Sequence, residues 1–301
     1  LSNVVPLQRP TRTGSDNSMP MTQWDMNTVA EVGLLKMDFL GLSNLSILGR
    51  TCDLIKSTQG IEIDLKTIPL DDAKTFELLC SGETTGLFQL EGSGMRRWIK
   101  QLKPENIQEI SAMIALYRPG PMEHIPRFID AKFGRIPITY PHEDLAELLS
   151  ETYGIIVYQD QVLKIAQKFA GYTLGQADIV RKAMGKKISS IMSEERDGFL
   201  AGASNQGYSH NEATAVFDLI EPFAGYAFNK AHSVSYAYIA YQTAFLKANY
   251  PTEYLTCLLN SSLGQQDRMG VIAEECKTLG IEVKPPSVSY SEHNFSIGFD
   301  K

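Results

Sequence analysis

The sequence predicts a mainly α-helical α+β protein with a few short strands. Apolar residues recur at helical spacing in long segments between residues 43 and 279, whereas strand-like alternation is confined to short runs. The 301 residues are 43% hydrophobic and 21% charged, as is usual for a globular protein. No apolar run approaches the roughly 20 residues that a membrane-spanning helix needs. We therefore expect a globular protein without a membrane segment.

Residues 35–42 (Leu-Lys-Met-Asp-Phe-Leu-Gly-Leu) are predicted to form a strand. Side chains of a strand alternate between its faces, so Lys36 and Asp38 would share one face and the apolar residues the other. Buried charges are paired or bind a ligand because an isolated one costs several kcal/mol, by rough estimate. The stretch alone favours a structural ion pair. The competing interpretation is a metal-binding carboxylate beside a phosphate-binding lysine.

Helices and one extended segment are predicted next. Ser43 or Asn44 can cap a helix that Gly60 ends, and the acidic residues of 69–72 suit the start of a second, short helix. Residues 83–90 contain β-branched and apolar residues around a glycine, which predicts a strand or extended segment. The sequence Gly-Ser-Gly then leads into a helix that carries Arg96. Such a turn can bind an anion through free backbone amides.

The middle of the chain is predicted to contain a helix near 107–114 that ends at a Tyr-Arg-Pro-Gly-Pro corner. This rigid corner would hold Arg118 at a fixed angle. Residues 120–142 carry several prolines and are predicted to be an irregular connector. Residues 154–158 are predicted to form a short buried strand, and 159–170 a helix that Gly171 ends.

A basic helix is predicted over residues 175–187. It carries Arg181, Lys182, Lys186 and Lys187 with no acidic residue among them. The net charge of the chain is −7, yet residues 92–190 contain 14 Lys and Arg against 10 Asp and Glu. A basic middle is compatible with a polyanion-binding groove, although a run of charges is more often a solvated helix face.

Further along, Ser209 and Glu212 form a predicted capping box for a helix to about residue 221. Residues 223–233 are predicted to be a compact binding loop that contains Asn229, Lys230 and His232. For His232, a buried structural histidine is an equally good interpretation. A long helix over 234–249, two helices up to residue 279 and extended structure beyond residue 281 complete the prediction.

The four cysteines lie far apart in the sequence and are predicted to be reduced, which is typical of a cytoplasmic protein. No Cys or His spacing indicates zinc. The chain begins Leu-Ser-Asn-Val-Val-Pro, without Met or an apolar signal core, so we expect a piece of a longer chain.

Several strings, taken in their order, resemble the bacterial replicative DNA polymerase III α subunit family. They are Lys-Met-Asp-Phe-Leu-Gly-Leu, Glu-Thr-Thr-Gly-Leu-Phe-Gln-Leu-Glu, Tyr-Arg-Pro-Gly-Pro-Met, Tyr-Gly-Ile-Ile-Val-Tyr-Gln-Asp-Gln-Val, Arg-Lys-Ala-Met-Gly-Lys-Lys and Phe-Ala-Gly-Tyr-Ala-Phe-Asn-Lys-Ala-His-Ser. The resemblance covers nearly the whole chain. It implies that residues 1–43 are the end of a polymerase palm and that residues 44–301 are most of its fingers.

The resemblance also implies roles for individual residues. Asp38 matches one of three palm carboxylates that bind two Mg²⁺ ions, and Lys36 matches a neighbouring lysine that approaches phosphates. The predicted contacts with nucleotide phosphates are Arg96, Arg181, Lys182, Lys186 and Lys187. The predicted contacts with the template and the nascent base pair are Asn229, Lys230 and His232.

The implied function is DNA-directed DNA polymerisation on a primed template, with deoxynucleoside triphosphates as substrates. The family's sliding clamp, proofreading exonuclease and clamp loader would bind mostly through other regions. The other two palm carboxylates are absent here, so we expect the chain alone to be inactive. The alternatives are a non-catalytic nucleic-acid-binding module and, third, a metal-dependent phosphohydrolase that uses Asp38 with Asp71 or Asp72.

Overall fold

The chain divides into two compact units, Leu1–Leu42 and Ser43–Lys301. The computed structural model describes residues 1–9, 19–37, 39, 41–186, 189–224 and 226–298. Within those ranges, only the backbone is described for residues 180, 182–186, 189–193 and 224.

The first unit contains a two-stranded antiparallel sheet and one short helix. Strand β1 (Leu7–Gln8) pairs with β2 (Met21–Thr22) so that Leu7 lies opposite Thr22. Helix α1 (Met26–Glu31) begins where the Asp25 side chain accepts hydrogen bonds from the backbone amides of Asn27 and Thr28. This carboxylate satisfies two of the amides that a helix N-terminus leaves without partners.

The strand predicted over residues 35–42 is wrong for the residues of that stretch that are described. Residues 35–37, 39 and 41 have no regular secondary structure. Leu35, Met37 and Phe39 are 82%, 67% and 92% exposed, so their side chains do not form the buried face that alternation predicted. A strand needs a hydrogen-bonded neighbour, and in the described part of this unit only β1 and β2 pair.

The second unit is mainly helical in the residues described. Its α-helices are α2 (Ser43–Gln59), α3 (Ala73–Ser81), α4 (Ser93–Leu102), α5 (Ile107–Leu116), α6 (Ile125–Lys132), α7 (Leu145–Leu149), α8 (Gln159–Ala170), α9 (Leu174–Lys186), α10 (Ser189–Asn205), α11 (His210–Ala224), α12 (Lys230–Asn249), α13 (Pro251–Ser261) and α14 (Gln266–Thr278). Two 3₁₀ turns, Pro121–His124 and Ser150–Thr152, precede α6 and follow α7. The predicted mainly helical fold is confirmed.

Helix α12 is the centre of one half of this unit. It packs on α2, α3, α5 and α13. Tyr241, near its middle, is fully buried, and its hydroxyl donates to the Pro69 carbonyl oxygen over 2.7 Å. A small residue is buried one turn to either side, at Ala237 and Ala244, which lets neighbouring helices approach closely.

Helix α8 is the centre of the other half and packs on α7, α9, α10 and α11. Its apolar face was predicted correctly: Val162, Ile165 and Phe169 are all fully buried. The predicted bounds are confirmed too, because Gly171 ends the helix at φ +68°, in the left-handed region that favours glycine. The capping box at Ser209 is also present, with its backbone amide donating to the Glu212 carboxylate.

Three local predictions in this unit need correction. Residues 83–90 form buried turns and not an extended segment, since Gly86 and Gln89 have positive φ angles of 76° and 61°. The proline-bearing connector contains helix α6, whose Pro126 stands in the first turn, where no amide hydrogen is needed. Residues 154–158 are buried as predicted but form only a single bridge, from Tyr158 to Phe228.

In the described residues, no helix is both long enough and apolar enough to cross a membrane. All four cysteines are free, as predicted. Cys257 and Cys276 are buried, and Cys52 and Cys80 are half-buried.

Candidate nucleotide and DNA contact site

Arg96 joins helix α4 to the turn over residues 84–90. Its Nη2 donates to the Thr85 Oγ1 over 2.9 Å, and its Nε is buried without a hydrogen-bond partner among the residues described. The turn itself is closed by the Thr84 hydroxyl, which donates to the Leu90 carbonyl oxygen over 2.7 Å. Arg96 is thus held by a buried turn that is itself closed by a hydrogen bond.

A buried lysine of α12 fastens the same turn. The Lys247 Nζ donates to the carbonyl oxygens of Glu83 and Thr85 over 2.7 and 3.0 Å, and also to the Glu275 carboxylate of α14. Burial lowers the pKa of Lys247, against the opposing effect of Glu275. A buried ammonium keeps its charge only where such acceptors surround it, so this contact ties α12 and α14 to the turn.

The Tyr-Arg-Pro-Gly-Pro corner lies beside the start of α4. A Cβ on Gly94 would stand 2.1 Å from the Tyr117 hydroxyl, so any larger residue at this position would have to displace the Tyr117 ring from α4. The neighbouring Arg118 donates from Nε to the Ala115 carbonyl oxygen (2.8 Å) and from Nη2 to the Tyr226 carbonyl oxygen (2.7 Å). The predicted fixed position of Arg118 is therefore observed.

Aromatic rings lead from Arg118 to the start of α12. The Arg118 guanidinium lies 4.3 Å from the centroid of the Phe228 ring, within cation–π distance. The Phe228 and His232 ring centroids are 5.5 Å apart, and those of His232 and Tyr236 are 4.1 Å apart. Tyr236 then meets Phe88 edge-on at 5.0 Å, and Phe88 belongs to the turn that holds Arg96.

Together with the short stretches of chain 85–88, 94–96 and 117–118, these contacts close a ring, which we call the contact ring. Its members, in order, are Arg96, Thr85, Phe88, Tyr236, His232, Phe228, Arg118, Tyr117 and Gly94. Three segments that are separated in sequence, residues 85–96, 117–118 and 228–236, thereby meet. Two of the predicted site residues, Arg96 and His232, are brought into one continuous set of contacts.

The backbone of Phe228 is anchored to the start of α8. Its amide donates to the Val157 carbonyl oxygen over 2.9 Å, and its carbonyl oxygen accepts from the Gln159 amide over 2.8 Å. Tyr158, which lies between these two residues, is held by its hydroxyl. The Ser111 hydroxyl forms hydrogen bonds with both the Tyr158 hydroxyl (3.1 Å) and the Ser233 hydroxyl (3.0 Å). Burial raises the pKa of Tyr158 to about 12, so its hydroxyl stays neutral at ordinary pH.

The predicted binding loop is shorter than expected because α12 begins at Lys230 and not at residue 234. Asn229 caps this helix, its Oδ1 accepting from the His232 amide over 2.9 Å. Lys230 forms an ion pair with Glu151 over 2.6 Å, and its ammonium lies 5.5 Å from the centroid of the Tyr158 ring. His232 is exposed in the first turn, so the interpretation as a buried structural histidine is wrong.

Arg181 lies in α9 as predicted, and both its Nε and its Nη2 donate to the Asp178 carboxylate, over 2.9 and 2.7 Å. Lys182 and Lys186 also belong to α9, but their side chains are outside the described residues. Lys187 and Asp38 lie outside them altogether, and Lys36 is exposed in the first unit. The described contacts therefore unite Arg96 with His232 and leave the role of the basic helix a prediction.

The described residues do not by themselves provide a metal site. No three His, Cys, Asp or Glu side chains among them lie together as ligands would. Asp72, considered for a phosphohydrolase, caps α3: its carboxylate accepts from the Thr75 amide (2.9 Å) and from Asn249 Nδ2 (3.1 Å). Burial raises the pKa of Asp72, but these hydrogen bonds outweigh it and the net shift is downward.

Sequence reasoning did not assign roles to Phe228, Tyr236 or Lys247. Each lies within an apolar or aromatic run, where a structural role is the ordinary expectation. The available signal for Lys247 was a single charge in the apolar run Thr-Ala-Phe-Leu-Lys-Ala. For the aromatic residues, no signal in the sequence pairs Phe88 with Tyr236, which are separated by about half of the chain.

The contact ring combines two chemical abilities. Arginine guanidinium groups bind phosphate oxygens in a forked geometry, and aromatic or imidazole rings stack on nucleobases. His232 is exposed, while Arg118, Phe228 and Tyr236 are half-buried. Fixed positions for such groups favour recognition of a nucleotide over a loose electrostatic contact.

Two family models match this chain, and both come from the α subunit of a bacterial DNA polymerase. "Bacterial DNA polymerase III alpha subunit finger domain" matches residues 44–207, and "Bacterial DNA polymerase III alpha NTPase domain" matches residues 1–41. The chain therefore belongs to the bacterial DNA polymerase III α subunit family.

Curated relatives named "DNA polymerase III subunit alpha" agree with this assignment. The Bacillus subtilis protein is 46% identical over 297 residues, which is 99% of this chain and 26% of the relative. The Thermus aquaticus protein is 45% identical over 302 residues, 99% of this chain and 24% of the relative. That of Saccharopolyspora erythraea is 49% identical over 292 residues, 95% of this chain and 24% of the relative. The chain thus spans about a quarter of the length of these relatives.

Proposed function

We propose that this chain is the part of a cytoplasmic DNA-directed DNA polymerase that holds the incoming deoxynucleoside triphosphate and the primed template. The family assignment supports the reaction class. The observation that carries the proposal within this chain is the contact ring, which fixes two arginines and a histidine among aromatic rings.

The proposed roles follow from the chemistry of each group. Arg96 and Arg118 bind phosphate oxygens, and His232 lies against the nucleotide, with the Phe228 and Tyr236 rings both packed on the imidazole. Asn229 and Lys230 position this segment through the helix cap and the ion pair with Glu151. The cations of α9 add attraction for the triphosphate.

Lys36 and Asp38 would act at the reacting phosphate. Two Mg²⁺ ions, held by several carboxylates, supply Lewis-acid stabilisation in polymerases. Asp38 is one of the three carboxylates that the resemblance implies, and the sequence contains no Asp-x-Asp string that would supply the other two. We therefore propose that the 301-residue chain binds its substrates without catalysing their reaction, and that the sliding clamp, exonuclease and clamp loader are partners of the longer polymerase.

Primer extension tests this proposal at two levels. The 301-residue chain alone should extend a labelled primer no faster than background, and robust extension would refute the incomplete metal site. In a polymerase of the relatives' length that carries this sequence, Asp38→Ala should abolish extension and leave DNA binding intact.

The matched control is Asp71→Ala, which removes an exposed carboxylate two residues before α3. Extension by this variant should equal that of the parent enzyme. If the long polymerase retains activity with Asp38→Ala, the chain is better described as a nucleic-acid-binding module without a catalytic role. Mn²⁺-dependent nuclease activity that is lost with Asp71→Ala would support the phosphohydrolase alternative instead.

A further inference from the structure

A basic groove lies on α4, next to the contact ring. It encloses about 350 Å³ and is lined by Ser81, Gly82, Glu83, Ser93, Arg96, Arg97, Lys100 and Glu275. The three cations occur at spacings of one, three and four residues along α4, which places their side chains on adjoining parts of one helix surface. The groove therefore presents a row of positive charge along a single rigid element.

The charges of this groove do not cancel one another. Arg97 and Lys100 are exposed and form no ion pair with any residue that the structure describes. The Arg97 guanidinium lies 4.9 Å from the centroid of the adjacent Trp98 ring. Two acidic residues also line the groove. Glu275 is already paired with the buried Lys247, so Glu83 is the acidic side chain that remains against the three cations. The excess of positive charge favours an anionic ligand.

Two details show that the groove is built by the fold. Gly82 ends α3 at φ +81°, and a Cβ there would lie 3.6 Å from the Arg96 Cγ and 3.5 Å from the Lys100 Cδ. The stems of both cations thus lie against the end of α3. The second detail is the Arg96 guanidinium, whose Nη2 donates to the Thr85 Oγ1 over 2.9 Å, so the turn over residues 84–90 fixes this cation at the groove.

We propose that this groove binds the phosphodiester backbone of DNA, with Arg97 and Lys100 as phosphate contacts that act in addition to the contact ring. The inference rests on the proposed function in taking DNA as the ligand. The groove is open and runs along a helix, which suits a chain of phosphates passing over it. Its contacts fix position without reading sequence, since they reach phosphates and not base edges.

The experiment measures binding of the 301-residue chain to a fluorescent single-stranded oligonucleotide at salt concentrations from about 50 to 200 mM. Each phosphate contact contributes about 0.7 to the slope of log K against log salt for a single strand. Arg97→Ala with Lys100→Ala should therefore reduce the slope by about 1.4 and weaken binding equally for oligonucleotides of different sequence.

Two control variants accompany it. Lys66→Ala with Lys74→Ala removes two exposed lysines that do not line the groove, and its slope should match the wild type. Arg97→Lys with Lys100→Arg keeps both charges and should retain the wild-type slope. Circular dichroism of every variant verifies that the helices are intact.

Three outcomes overturn the inference, each in a different way. If Arg97→Ala with Lys100→Ala (the groove variant) leaves the slope unchanged while the wild type binds normally, the groove does not bind DNA phosphates. The proposed function is then unaffected. A wild-type chain that binds no oligonucleotide refutes both. If the groove variant loses affinity for tripolyphosphate and not for the oligonucleotide, the groove binds the triphosphate of a nucleotide and not the DNA backbone.

Discussion

Replacing Lys247 by Met tests whether a buried ammonium holds the turn beneath Arg96. The substitution keeps an unbranched apolar side chain of similar shape but leaves two carbonyl oxygens and the Glu275 carboxylate without their shared donor. Breaking a buried ion pair from one side costs about 3–5 kcal/mol. We expect the free energy of unfolding to fall by that amount, and the affinity for nucleotide to fall with it because Arg96 is held by the same turn.

The assay is urea unfolding followed by circular dichroism, applied to Lys247→Met, Glu275→Met and the double variant. If the two groups act as one unit, the double variant should lose less than the sum of the single losses. Lys66→Met is the matched control, since this lysine is exposed, and it should change the unfolding free energy by less than about 0.5 kcal/mol. A loss of less than about 1 kcal/mol for Lys247→Met, the scale of a surface pair, would refute the reasoning.

Three further predictions separate binding from folding. Asn229→Ala should cost about 1 kcal/mol of stability because α12 loses its cap, which urea unfolding would detect; an unchanged midpoint would contradict the assignment. His232→Ala should leave that midpoint unchanged and weaken nucleotide binding in a calorimetric titration, and equal binding would remove His232 from the site. Burial raises the pKa of Tyr158 from 10.0 to about 12, so the neutral phenol contributes stability below pH 10 that is lost as pH rises through 12. Between pH 10 and pH 12 the free energy of unfolding of Tyr158→Phe should therefore fall by about 2–3 kcal/mol less than that of the wild type. If the free energies of unfolding of the two proteins fall in parallel with pH, the burial of this hydroxyl is contradicted.

Local signals in the sequence predicted much of the helical fold. The apolar spacing of α8, its terminal Gly171 and the capping box at Ser209 depend on neighbours within a few residues, and all three are present in the structure. Such signals are legible because the interactions that they describe form within a single turn of helix.

The failures occurred where tertiary contacts decide the backbone. Residues 83–90 have the composition of a strand, but their polar groups bond Lys247 and Thr243 of α12, which fixes a series of turns. Pro126 marked its segment as irregular, although proline is acceptable in the first turn of a helix. The predicted strand at residues 35–42 depended on a pairing partner that no local pattern can supply.

The candidate site was predictable only where short stretches of sequence carried the information. Arg96 and His232 were named from a resemblance in their strings, and Arg118 was expected to be fixed by its proline corner. The arrangement of Phe88, Tyr236 and Lys247 depends on contacts between distant segments, so it required the structure. The contribution of the α9 cations remains a prediction.

Photolabelling tests the central claim most directly, namely that the contact ring holds the nucleotide. The 301-residue chain is mixed with primed DNA and a photoreactive deoxynucleoside triphosphate, irradiated and digested, and the labelled peptides are identified by mass spectrometry. We predict saturable labelling within residues 84–97 and 226–236, which unlabelled triphosphate suppresses and His232→Ala reduces. Saturable labelling confined to α13 and α14, or none at all, would contradict the claim.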